Sequence, residues 1–116
     1  MNMKAVIHLD IEEKGRLMVV IGNVENFLKA IKDSETDVRI VVNSSAVKLL
    51  RKAVSADYAQ QAKALAQKGV RFMVCNNALS MFGINRTELL DFCEVVPAGI
   101  VELIRLQHEG FAYVKP

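Results

Sequence analysis

Short apolar runs alternate with stretches of helical periodicity along the whole sequence, and this alternation restricts the fold more than any other property of the chain. Residues 3–9, 38–42, 70–75, 94–96 and 111–114 are runs of strand length, rich in Val, Ile, Phe and Met. Between the first two, Leu17, Val20, Ile21, Val24, Phe27, Leu28 and Ile31 recur at the three- and four-residue spacing of one helix face. A helix over residues 14–32 must bury that face. Asn43-Ser44-Ser45 opens a short helix over 46–52, and Asp57 with Gln60 has the spacing of a capping box for a helix ending near Gln67. Gly69 supplies the residue past that end. Residues 76–81 predict a helical turn closed by Gly83, Asn85 with Glu88 caps another reaching Asp91, and Pro97 stands in the first turn of a last helix running to His108. The predicted fold is α/β: three layers, α/β/α, with a parallel sheet of about five strands and right-handed crossovers in a single domain spanning residues 1–116.

Composition narrows the class further. With 116 residues, a formal charge of +2 and 52% apolar residues, the chain has an ample core and no electrostatic footprint for nucleic acid. Gly22, Asn23, Gly99 and Glu102 break the longest apolar stretches well short of the ~20 residues of a membrane span. Residues 1–10 lack a secretory leader pattern, so the expected compartment is the cytoplasm, with Cys75 and Cys93 reduced and no membrane partner. The high apolar fraction predicts surface reserved for a partner chain, and Met81-Phe82-Gly83-Ile84 is the segment best suited to an oligomer contact.

The carboxyl ends of parallel strands are where open α/β sheets place their crevice, and three such ends carry polar or nucleophilic residues. They are His8 with Asp10, Asn43 with Ser44, and Cys75 with Asn76. If Asn76 and Asn77 open a helix, its free N–H groups and positive dipole end lie beside the Cys75 sulfur and favour thiolate over thiol. Cys75 is the candidate nucleophile. His8 can pair with it as an imidazolium, at a distance that depends on strand order. Cys93, between Phe92 and Glu94 and two residues from Asp91, is in surroundings that keep a thiol protonated, and core packing is its expected role. The two cysteines fit neither a Cys-x-x-Cys pair nor a zinc ribbon, so metal none is the expectation. No phosphate-binding glycine loop follows any strand, which leaves cofactors none and counts against a flavodoxin-like cofactor protein.

Residues 69–77 (Gly-Val-Arg-Phe-Met-Val-Cys-Asn-Asn), 95–103 (Val-Val-Pro-Ala-Gly-Ile-Val-Glu-Leu) and 105–116 together resemble the DsrE/DsrF-like family, small proteins related to sulfur-relay subunits. The order of strands and helices matches over the whole chain, and the stand-alone branch of the family is the most similar. The chain departs from the relay subunits in having Asn76-Asn77 after the cysteine. The resemblance implies a three-layer fold, assembly as a homotrimer or homohexamer, and a cysteine at the position of Cys75 that accepts sulfur as a persulfide and passes it between donor and acceptor proteins. Catalytic roles then fall to Cys75 and His8, and binding roles to Asn43, Ser44, Asn76 and Asn77. Such a protein is a carrier more than a turnover enzyme. The competing reading is a non-catalytic oligomeric module of the same fold that binds a small ligand or a protein tail.

Overall fold

The computed structural model describes residues 2–32 and 34–116. Among these, β1 (Asn2–Leu9), β2 (Glu35–Val42), β3 (Arg71–Cys75), β4 (Cys93–Val96) and β5 (Ala112–Val114) form one parallel sheet in the order β4-β3-β2-β1-β5. The helices are α1 (Lys14–Ala30), α2 (Ala59–Gln67), α3 (Asn76–Met81) and α4 (Gly99–His108), with short 3₁₀ segments at Ser44–Leu50, Lys52–Val54 and Arg86–Glu88. From β1 to β4 the chain steps across the sheet in one direction. Right-handed crossovers then place all three connections on the same face. The final step returns to the far edge beside β1, so the same handedness carries α4 to the opposite face.

Two cores follow from this path. Leu17, Val20, Ile21 and Val24 of α1, with Leu65 of α2 and Leu79 of α3, pack on Ile7, Ile40, Phe72 and Val74. Leu103, Leu106 and Phe111 pack on Val6, Val41, Met73 and Val96 on the other side. Strand alternation sorts the residues, since neighbours such as Val6 and Ile7 point to opposite faces. Burying each of these aliphatic side chains contributes about 1.5–3 kcal/mol before the entropy of ordering is set against it.

The element boundaries depart from expectation where polar residues pair through the backbone. β2 begins at Glu35, because Glu35, Thr36 and Asp37 are in register with Asn2, Met3 and Lys4 of β1, a pairing that hydropathy does not reveal. The Asp57–Gln60 capping box does not form: α2 starts at Ala59 with Tyr58 at its N-cap and no side-chain cap, while Asp57 pairs with Lys14 of α1. Pro97 lies outside α4, in the bend that carries the chain from β4 to the opposite face, and Ala98 is the N-cap. The Asn85–Glu88 capping box is present and closes a single 3₁₀ turn.

Candidate functional site

β3 and β4 are neighbours, yet β3 feeds α3 on one face and β4 feeds α4 on the other. Between their carboxyl ends the two helices diverge and a crevice opens, the switch point at which open α/β sheets bind ligands. Cys75 is the last residue of β3 and also the N-cap of α3. A helix N-cap ordinarily presents an oxygen to the first free N–H groups. Here the position is held by sulfur, and no side-chain cap hydrogen bond is made. From the other side, Gly99 begins α4 so close to the sheet that a Cβ there would stand 3.0 Å from Cβ of Asn43 and 3.3 Å from Cβ of Cys75. Glycine is what lets α4 start against the cysteine.

A depression of about 240 Å³ opens at this point, bounded among others by Asn43, Ser44, Cys75, Asn77, Met81 and Gly99. Cys75 is 6% exposed at its base. Asn77 borders the depression and is exposed, whereas Asn76 is half-buried in the first turn of α3 and does not line it. Ser44 has a backbone φ of 54°, a left-handed conformation rare outside glycine, and it turns the chain sharply after Asn43.

Strand order places His8 two strands from Cys75, with β2 between. Its ring is held at both nitrogens: Nε2 lies 2.9 Å from Oδ1 of Asn43, and Nδ1 lies 2.7 Å from the hydroxyl of Tyr113 on β5. Asn43 therefore stands between His8 and Cys75, and no hydrogen bond joins His8 to the thiol. Asp10 is engaged by Lys115, whose ammonium hydrogen-bonds its carboxyl and holds it below the usual carboxylate range against the cost of partial burial, with a smaller contribution from His8. The residues missed by sequence reasoning are Gly99 and Tyr113. The first carries a readable signal, a glycine opening a helix just after a strand. Tyr113 has none, because the β5–β1 pairing that brings it to His8 depends on strand order.

Cys93 is placed differently. It opens β4 beside Phe72, and burial, with the Asp91 carboxylate adding to it, pushes its thiol up to about 12. Among the described residues no group of His, Cys, Asp and Glu is arranged to hold a metal ion, and no helix is long and apolar enough to cross a membrane.

Comparison with solved structures gives the same architecture. The structure of a protein of unknown function, MTH1491, from Methanobacterium thermoautotrophicum superposes with a TM-score of 0.89 at 31% sequence identity, covering 98% of this chain and 99% of that one. The ychN protein of E. coli superposes with a TM-score of 0.81 at 18% identity, over 98% and 99% of the two chains, a likeness of fold. No curated protein sequence matches significantly. The model of the DsrE/DsrF-like family matches residues 11–116, and on that match together with the parallel five-stranded sheet, the chain belongs to the DsrE/DsrF-like family.

Proposed function

We propose that this protein is a sulfur carrier of the relay type, with Cys75 as the residue that bears the sulfur. The supporting observation is the position of Cys75, a sulfur at a helix N-cap in the switch-point crevice, where the starts of α3 and α4 both meet it. In the step this supports, the Cys75 thiolate attacks the outer sulfur of a donor persulfide R–S–SH. The donor S–S bond breaks, R–S⁻ leaves, and Cys75 becomes Cys–S–SH. That group loses a proton to solvent, and free N–H groups at the helix start stabilise the resulting anion. Transfer repeats the exchange: an acceptor thiolate R′–S⁻ attacks the outer sulfur, the Cys75 thiolate leaves and R′–S–SH forms, so neither oxidant nor reductant is consumed. Membership of the family supports a sulfur-relay role.

Self-association into a homotrimer or homohexamer is part of the same proposal. Its support is apolar surface around the site, where Met81 is 78% exposed and Ile100 61%, with Val101 and Ile104 exposed beyond them on α4. The same collar favours the second reading, a binding module in which the depression holds a ligand and Cys75 is inert. Intact-mass measurement separates the two. Incubating the reduced protein with a persulfide donor should add one sulfur atom's mass to the native chain and to C93A, and none to C75S. Sulfur on Cys93 instead, or on neither residue, sinks the carrier reading.

A further inference from the structure

Three hydrogen-bonded side chains form a row along the sheet, Tyr113 of β5, His8 of β1 and Asn43 at the end of β2, and of these Asn43 borders the depression with Cys75. Oδ1 of Asn43 faces His8, so Nε2 must carry the proton and donate to it. In the neutral ring Nδ1 then keeps its lone pair and accepts from the Tyr113 hydroxyl; in the charged ring it donates to the hydroxyl oxygen instead. With Oδ1 on His8, Nε2 donates in either charge state, and a flipped amide would require the Nδ1–H tautomer, with Nδ1 donating to the Tyr113 hydroxyl. The contact through Oδ1 sets the other end of the amide. Nδ2 of Asn43 lies 3.4 Å from the point where a Cβ on Gly99 would sit, and Cβ of Cys75 lies 3.3 Å from that same point. Asn43 and Cys75 thus both crowd the start of α4, and both line the depression that opens there.

We propose that Asn43 is the side-chain donor for the anionic sulfur held on Cys75, and that His8 and Tyr113 are positioning residues which fix its amide in that orientation. The proposal rests on the carrier reading for the identity of the anion, a persulfide. Asn43 makes no hydrogen bond to the thiol itself. Cys75 and Asn43 line the same depression, and a charge-assisted hydrogen bond from Nδ2 to a persulfide's second sulfur there favours the loaded state over the empty one. A carboxylate at position 43 accepts from Nε2 equally well but turns an acceptor toward the sulfur.

The test joins three measurements on the folded full chain, with circular dichroism to confirm the fold of each variant. First, ¹⁵N-histidine NMR, with H108Q to assign the two rings, should show Nε2 protonated and Nδ1 as an acceptor, and Y113F should shift Nδ1 alone. An Nδ1–H tautomer overturns the proposal. Second, loading from a persulfide donor followed by intact mass should slow about tenfold in N43A, more in N43D, and about threefold in Y113F. H8Q should retain more of the rate than H8L, because a glutamine amide can donate to Oδ1. Third, alkylation of Cys75 by iodoacetamide at neutral pH should slow about threefold in N43A and Y113F, because the amide dipole that borders the depression is then lost or no longer held in place. Unchanged loading and alkylation in both variants overturn the positioning role. If the native protein takes up no sulfur while the NMR and alkylation effects stand, the carrier reading falls and the positioning of Asn43 survives. Should N43A fail to fold, Y113F, on the exposed edge strand, carries the same comparison.

Discussion

Cys75 and Cys93 lie on neighbouring strands and differ in nearly everything that governs a thiol. Cys75 closes β3 and Cys93 opens β4, and the register sets Cys75 beside Val96 but Cys93 beside Phe72, about 10 Å back along the sheet. By exposed area the ranking would favour Cys93, which is half-buried, over Cys75 at 6%. The surroundings reverse it. Cys75 is the N-cap of α3, whereas partial burial and the nearby Asp91 carboxylate hold the Cys93 thiol protonated. Ionisation, more than area, decides which of two cysteines reacts.

The largest effect expected from this contrast is kinetic. With its thiol at about 12, roughly one Cys93 in 10⁵ is ionised at pH 7, so iodoacetamide should modify it some 10³-fold more slowly in the folded protein than in urea. Peptide mass mapping reads both sites at once, and equal labelling of Cys75 and Cys93 breaks the comparison. The next effect is on stability at high pH. The fold favours the neutral Cys93 thiol, raising it from 9.0 to about 12, so its contribution is complete below about pH 9 and is lost as pH climbs through that interval. Chemical denaturation should show stability falling over that range in the native chain and a shallower fall in C93A. A parallel decline in the two would mean that Cys93 is not the group responsible.

A smaller effect concerns the way α4 is seated at Cys75. G99A forces a methyl group against Asn43 and Cys75 and should cost about 1–3 kcal/mol, with slower alkylation of Cys75 and no change at Cys93. The smallest is expected at Ser44. Its left-handed backbone stores about 1 kcal/mol, part of which S44G recovers, so the melting temperature should stay level or rise slightly. A change in the Cys75 rate on that substitution would sharpen the comparison by showing that the turn angle itself sets the geometry of the crevice.

Much of this was readable from residue order. Apolar runs marked every strand, and the Leu17 to Ile31 periodicity located α1 within a few residues. Cys75 at a strand end followed by a helix was legible because both signals are local. The capping box at Asp57 misled, since an acidic side chain at that spacing can equally reach across to Lys14, and one-dimensional spacing does not rank the two. Strand order was hidden for a related reason: it depends on which edge the last strand joins, and nothing near residues 112–114 encodes that choice. With it were hidden the separation of His8 from Cys75, the part played by Tyr113 and the crevice between β3 and β4.

The hydrogen bond between His8 and Tyr113 joins residues 105 positions apart. During synthesis, β1 through β4 emerge and can pair while β5 is still unmade, and over that interval β1 is a bare sheet edge with its backbone groups unpaired on one side. Only when β5 docks along Ala5, Val6 and Ile7 is the edge covered, and the same event delivers the Tyr113 hydroxyl to the imidazole. Closing a loop of this length makes it a late step on the way to the native state. On the positioning role proposed for Tyr113, β3 and Cys75 are in place before the residue that orients Asn43 has docked.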